Sequence, residues 1–325
     1  MCRQCQQISD TINVMGTIRK KVTANSLILI FTAFIWGVAF VAQTEGGNAV
    51  GAFSFNCIRS IIGSITLLPV IAVLDHRKPN RTCHSPWRNR TLITGGIACG
   101  IILCIASNLQ QLGISLGSTA GKAGFLTACY ILIVPLLGIF LGRKVSRNIC
   151  LGVILALVGL YLLCMEGSFS LQLSDILLLL CAFCFAIHIM VIDHFSPLAD
   201  GVRMSCIQFA VCGVLTAFPM FIIDMNHSVS GIIRWSEAFT TLEAWIPILY
   251  AGVFSCGVAY TLQIIGQNGV NPTVASLIMS LESVFAAVAG WFILGQTMDI
   301  KQITGCVLIF AAIILAQLNT DNQNL

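Results

Sequence analysis

The sequence predicts an all-α integral membrane protein with ten transmembrane helices, laid out as two inverted five-helix repeats. Three observations predict it: a composition suited to lipid, ten apolar stretches of membrane-crossing length, and a register relating the two halves of the chain. The 325 residues include 17 Lys+Arg and 13 Asp+Glu, so 9% are charged, where a soluble domain carries about 25%. With 57% hydrophobic residues and a mean hydropathy of +0.91, too little polar surface remains to clothe a water-facing exterior. The formal net charge of +4 is small and the basic residues are dispersed, so no nucleic-acid partner is expected.

The elements follow from length. About 20 apolar residues cross a bilayer as a helix. Residues 1–25 are polar and mixed, with Arg3, Arg19, Lys20 and Lys21 ahead of the first apolar run and no small-residue cleavage pattern. They read as a cytoplasmic segment with no need of a cleaved leader. Crossings are expected at 26–44, 51–74, 91–112, 119–141 and 148–165. A second set is expected at 174–195, 201–223, 244–265, 272–294 and 300–318, with 319–325 as a cytoplasmic tail. Only the connections 75–90 and 224–243 are sizeable, leaving no room for an extramembrane domain.

An even number of crossings puts both termini on one side. That side would hold Arg3, Arg19, Lys20, Lys21, Arg77, Lys78, Arg81, Arg88, Arg90, Arg143, Lys144, Arg147 and Arg203, against Arg234 and Lys301 on the other. The asymmetry predicts cytoplasmic termini in a plasma membrane. Most of the fifteen cysteines, among them Cys57, Cys104, Cys212 and Cys256, lie inside apolar runs and read as small hydrophobes. Cys2 and Cys5 have metal-ligand spacing, but their polar-region companions, Cys83 and His84, are far along the chain, so no metal is expected.

The stretch ACYILIVPLLGIFLG (128–142) has the layout of LESVFAAVAGWFILG (281–295), at an offset of 153 residues. The same offset pairs Ala98 with Ala251, Gln110 with Gln263, Gly113 with Gly266 and Gly152 with Gly305. With an offset of 150, Gly63 pairs with Gly213, Thr66 with Thr216 and Pro69 with Pro219. A sustained register that includes Gly, Gln and Pro marks an internal repeat. Five helices per copy is an odd number, so the second copy enters the bilayer upside down.

FIWGVAFV (34–41), FNCIRS (55–60), GKAGFLTACYILIVPLLG (121–138) and SLESVFAAVAGWFILGQ (280–296), followed by Gly305, resemble the drug/metabolite transporter superfamily, of the type with two EamA domains. The resemblance covers residues 26–318, with repeats at 26–165 and 174–318. It implies a secondary transporter of an amino acid, metabolite or drug-like solute, exporting by alternating access, with ion coupling or exchange. It also implies that the third, fourth, eighth and ninth helices wall a central cavity. The family's usual Glu-Pro in the ninth helix is Glu282-Ser283 here, which implies a weaker kink at that depth.

Ionisable groups in the bilayer are costly and should face protein or water. Glu282, near the midplane, reads either as a proton-carrying or amine-binding carboxylate, able to switch charge, or as a structural partner of Lys122 or Arg59. Lys122 could bind a carboxylate or snorkel to the headgroups. Arg59 matches the family's second-helix arginine and reads as a structural or gating ion pair ahead of a substrate contact. His188 reads as a core histidine ahead of a proton relay.

Asn108, Gln110, Gln111, Tyr260, Gln263 and Gln267 are expected at opposite lips of the bilayer, as gate hydrogen bonds or interfacial groups. Trp36, Tyr130 and Trp291 could stack on a solute. Gly113, Gly117 and Gly121, and Gly138 with Gly142, recur every four residues and suggest close helix packing. Pro135 should bend the fourth helix. The candidate site is therefore Glu282, Lys122, Arg59, Tyr130, Asn108, Trp36 and Gln263, with no cofactor; the partners are a small solute, protons and lipid, the chain acting as a monomer or homodimer. The five histidines form no HExxH motif and no Gly-rich phosphate loop is present, which disfavours an intramembrane enzyme. The internal repeat disfavours a receptor, and a channel would need oligomeric symmetry or a visible filter.

Overall fold

The computed structural model describes residues 3–76, 87, 89–118, 120–143, 145–164, 172–294 and 299–317, and every longer regular element among them is helical. The tail 319–325, the basic residues Arg77, Lys78, Arg81, Arg88 and Lys144, and Cys2, Cys83 and His84 lie outside the described residues. Helix α1 (Arg3–Val50) runs unbroken from the polar N-terminal segment through the apolar part Thr23–Val50. Then come α2 (Ala52–His76), α3 (Arg90–Ser115), α4 (Ala120–Ala128), α5 (Tyr130–Phe140), α6 (Arg147–Cys164) and α7 (Leu173–Phe195). Next are α8 (Gly201–Pro219), the short α9 (Val229–Glu237), α10 (Leu242–Leu249), α11 (Tyr260–Gln267), α12 (Pro272–Met279), α13 (Leu281–Leu294) and α14 (Ile300–Gln317).

Among the described residues, eight stretches are long and apolar enough to cross a membrane. Four are single helices or parts of one, and four are composite: Lys122–Phe140 joins α4 to α5, Gly201–Asp224 prolongs α8, Leu242–Gln267 joins α10 to α11, and Pro272–Ala289 joins α12 to α13. The apolar helices α6 and α14 are shorter, 18 residues each, or about 27 Å at 1.5 Å per residue. Large apolar side chains face outward, Phe140, Val214, Phe218 and Phe292 among the most exposed, while Ser54, Asn56, Gln111 and Gln208 are fully buried. That inversion is what a hydrocarbon solvent demands.

The composite segments have local causes. Pro219 precedes a π-helical turn, Met220–Asp224, and Pro247 precedes a ten-residue π-helix, Tyr250–Ala259. A proline lacks the N–H and crowds the carbonyl four residues back, and downstream of each one the hydrogen bonds widen to i→i+5. In the fourth segment the helix is interrupted at Cys129, where Cys129 N–H reaches Leu126 O and Leu132 N–H reaches Cys129 O, both three residues back. Pro135 sits six residues later, inside α5.

The ninth segment is interrupted at Ser280 although no proline follows Glu282. Ser276 and Ser280 donate their hydroxyls to the carbonyls of Thr273 and Leu277, at 2.9 and 2.7 Å, a back-bonding that bends helices. Serines thus break this segment where a weaker kink is expected.

Small residues set the packing. Helix α6 lies along α14, where a Cβ on Gly159 would stand 2.8 Å from Gly305 O, and one on Gly152 3.0 Å from Ala312 O. Gly113 seats α3 on Leu178 of α7. Gly117 and Gly142 do something else: φ is +93° and +78° and nothing lies within 4 Å of an added Cβ, so they turn the chain at helix ends. At Gly142 the bonds Gly142 N–H to Ile139 O and Arg143 N–H to Gly138 O, both 2.9 Å, complete a Schellman cap.

Replacing Gly305 by valine should separate α6 from α14 and cost about 1–3 kcal/mol. The melting temperature of the detergent-purified protein should fall, whereas Gly138→Ala, whose methyl would meet only Arg143 at 3.9 Å, should leave it level or slightly raised. Equal melting temperatures for the two variants would rule out backbone-to-backbone packing at Gly305.

Candidate functional site

Side chains from both halves of the bundle converge on one cavity. Helix α1 presents Trp36, Phe40 and Gln43 to it from one stripe, with Phe185 and Ile189 of α7 as a second apolar wall. Arg59 enters from α2 and Gln110 from α3. The fourth segment contributes Thr127 and Tyr130, one on either side of the Cys129 interruption. The ninth contributes Met279 and Glu282, on either side of the Ser280 interruption. Ser255 comes from the long π-helix, and Tyr260 and Gln263 from α11 just beyond it.

Both helix breaks thus sit against the cavity, and one hydrogen bond joins them: Tyr130 Oη donates to Glu282 Oε1 at 3.2 Å. The glutamate is 6% exposed, and this phenol is its only hydrogen-bond partner among the described residues. Arg59 is equally buried, at 5%, its guanidinium 5.2 Å from the centre of the Phe55 ring. It pairs with no described carboxylate. Tyr260 is wedged between aromatic groups, with ring centroids 4.7 Å from Trp36, 5.2 Å from Phe209 and 6.0 Å from His188. Gln110 Nε2 donates to Thr127 Oγ1 at 3.3 Å. Three buried atoms of cavity residues, Trp36 Nε1, Gln43 Oε1 and Gln263 Oε1, have no hydrogen-bond partner among the described residues.

Five of the seven sequence candidates, Glu282, Arg59, Tyr130, Trp36 and Gln263, therefore meet at one cavity. The other two are held elsewhere. Lys122 Nζ lies 2.7 Å from Asp175 Oδ2, which also accepts from Gln172 N–H at the start of α7. Lys122 is thus no partner of Glu282. At the other end of the same helices Arg143 pairs with Asp193 at 2.6 Å. Asn108 bridges helices, accepting from Asn56 Nδ2 at 3.0 Å and donating to Thr216 Oγ1 at 2.9 Å.

Other expectations are corrected. Gln110, Tyr260 and Gln263 are buried cavity residues and not interfacial groups, and Gln111 and Gln267 are buried as well. Trp291 is 50% exposed, its ring tilted against that of Phe292, and it does not line the cavity. The first, second and sixth apolar segments line the cavity alongside the four expected ones. Gln43, Phe40, Phe185, Thr127 and Ser255 were not among the sequence candidates. A signal for the α1 group existed in the i, i+4, i+7 spacing of Trp36, Phe40 and Gln43, which puts a polar group on the stripe of a promising tryptophan.

A bundle of membrane-crossing helices around a cavity with polar side chains turned inward is the build of a membrane transporter. The EamA-like transporter family model matches residues 24–165 and 172–318, and the chain belongs to that family. It is a multi-pass membrane protein and a transporter. It is 27% identical over 292 residues to an uncharacterized transporter of Archaeoglobus fulgidus, covering 89% of this chain and 84% of the relative. It is 22% identical over 290 residues to an uncharacterized transporter of Clostridium kluyveri, covering 85% of this chain and 87% of the relative. A protein crystal structure superposes with a TM-score of 0.70 at 17% identity, covering 91% of this chain and 96% of that one, which shows the same fold.

Removing the ammonium in Lys122→Met leaves Asp175 buried without its cation and should cost about 2–4 kcal/mol. The double variant Lys122→Met/Asp175→Leu should regain part of the loss in thermal unfolding, the remainder reflecting the lost helix cap. A double variant no more stable than the single one would argue against a buried-charge penalty.

Proposed function

We propose that this transporter is a ten-helix secondary carrier that moves a small organic solute through the central cavity by alternating access between two inverted halves, residues 26–165 and 174–318. The observation that carries this reading is the convergence of both halves on one cavity at two interrupted helices, joined by the Tyr130–Glu282 hydrogen bond. Irregular backbone at membrane depth is tolerated where it lines such a cavity, and carriers place their sites there.

Packing supports the repeat. Gly152 meets Ala312 and Gly159 meets Gly305, and adding the 153-residue offset to 152 and 159 gives 305 and 312, so each contact is the counterpart of the other. The packing of α3 on α7 has its counterpart in α1 on the α10–α11 segment, while α2 with α8 and α6 with α14 lie across the pseudo-two-fold. Two structurally equivalent halves can exchange conformations, opening the cavity first to one face and then to the other.

Glu282, with Tyr130, is the coupling group in this reading. A carboxyl that holds a proton in one state and releases it in the other allows an inward proton gradient to drive the solute outward. The basic residues, concentrated on one side, favour a plasma membrane location with cytoplasmic termini.

Flux in proteoliposomes under a pH gradient tests the coupling. Glu282→Gln should abolish the pH dependence of transport while the protein remains folded, and an unchanged pH profile would remove Glu282 as the proton site. Topology is tested separately: cysteines introduced at 143 and 299, in a background cleared of accessible thiols, should label from opposite faces of the bilayer. Labelling from one face would overturn the inverted arrangement.

A further inference from the structure

Between the crossing that ends at Asp224 and the one that begins at Leu242 lies α9, Val229–Glu237, a helix the transport reading does not use. Its 9 residues rise only about 14 Å, too little to cross a bilayer. At about 100° per residue its side chains divide among three directions. Gly231 and Trp235 share the first and face the bundle: a Cβ on Gly231 would collide with the Met225 carbonyl, and Trp235 Nε1 donates to Ser54 Oγ at 2.8 Å. Ser230, Arg234 and Glu237 share the second and are exposed. Val229, Ile232 and Ile233 share the third and are exposed as well, by 76%, 39% and 54%.

An apolar sector left in water is unfavourable, and this one is not isolated. It continues the lipid-facing surface, since Phe221, Ile222 and Ile223 just before it and Leu242 and Ile246 just after it are exposed side chains of membrane crossings. The polar groups of α9 fit the same surroundings. Ser236 falls within the apolar sector, and its hydroxyl turns back onto the Ile233 carbonyl at 2.7 Å, which hides its polarity. Arg234 turns toward the polar sector, its Nε donating to Ser230 O at 3.4 Å. Beside the helix, Trp235, Phe239 and Trp245 pack in series, with ring centroids 4.6 and 5.8 Å apart. Tryptophans concentrate at the boundary between membrane and water.

We infer that α9 lies in the plane of the membrane surface, with Val229, Ile232 and Ile233 among the lipids and Ser230, Arg234 and Glu237 in water. Its partner is the bilayer, at the boundary of headgroups and acyl chains, where an amphipathic helix sinks its apolar face about 5–10 Å. Trp235 bonds to Ser54 in the first turn of α2, the helix that carries Arg59, so the lipid contact of α9 sets the level of that turn against the membrane surface. This assignment is independent of the transport reading and stands without it.

The variants Ile233→Cys and Glu237→Cys, each in a full-length background cleared of other reactive thiols, test it after labelling with a polarity-sensitive NBD fluorophore and reconstitution in phosphatidylcholine vesicles. The label at 233 should emit to the blue of the label at 237 and be quenched by lipids spin-labelled near the carbonyl end of the acyl chain. The label at 237 should be quenched by aqueous iodide and spared by the spin-labelled lipid. Val229→Cys should repeat the behaviour of Ile233→Cys, so that one poorly folded variant does not decide the matter. Equal quenching of both faces by iodide overturns the proposal, because α9 then stands clear of the bilayer, and equal quenching of both by lipid overturns it by submerging the whole helix. A label at 233 shielded from iodide yet unreached by spin-labelled lipid puts a second copy or another protein over this face, and overturns the bilayer as its partner.

Discussion

A carboxyl placed in the middle of an apolar bundle is the constraint around which the rest of this protein is arranged. Hydrocarbon offers Glu282 no solvation, so the protein must supply it. The supply takes three forms: the phenol of Tyr130, a cavity with polar side chains turned inward, and a backbone interrupted at Ser280 and Cys129 beside that cavity. Phe140, Phe218 and Phe292 present rings to the lipid, and polar groups such as Asn56 and Gln111 are kept inside, where Ser107, Asn108 and the Gln43 carbonyl receive their hydrogen bonds. The fold is therefore a greasy shell around a polar interior.

What could be read directly from the chain is what hydrocarbon itself selects. Length and hydropathy placed the sixth crossing at 174–195 against an observed Leu173–Phe195, and the third at 91–112 against Arg90–Ser115, since a bilayer fixes how many apolar residues a crossing needs. Scarcity did the rest: Glu282 and Arg59 stood out because a buried charge is expensive, and both reach the cavity. The interruptions were less legible. Cys129 and Ser280 sit inside unbroken apolar runs, and a break there depends on local carbonyl bonding by serines or on a proline six residues away. Lys122 and Asn108 were misplaced for a different reason: whether a polar group in a helix faces a cavity or a neighbour depends on a partner far along the chain, here Asp175, Asn56 and Thr216.

The two π-helical segments show how the same sequence trades regularity for position. Pro219 and Pro247 each forfeit a backbone donor, and the wider turn that follows re-aims every side chain downstream. After Pro247 that shift brings Ser255 from the π-helix, and Tyr260 and Gln263 beyond it, onto the cavity wall. After Pro219 it ends at Asp224, whose carboxylate accepts from Ser54 N–H at 2.6 Å and from Ser54 Oγ at 2.7 Å, closing off the first turn of α2. Helix α2 is the one that carries Arg59, so its position is settled from a distant part of the chain.

The interrupted α4–α5 segment is tied to α7 at both ends, by Lys122 to Asp175 and by Arg143 to Asp193. A rod fastened at two points cannot pivot; it can only bow, and the place where it bows is Cys129, next to Tyr130. The fastenings are unequal, since Asp175 is fully enclosed while Arg143 is 43% open to solvent. Dissolved ions weaken the open fastening far more than the enclosed one. Ionic strength on the Arg143 side would then act like a tuning peg, slackening one end of the bow while the other holds its pitch.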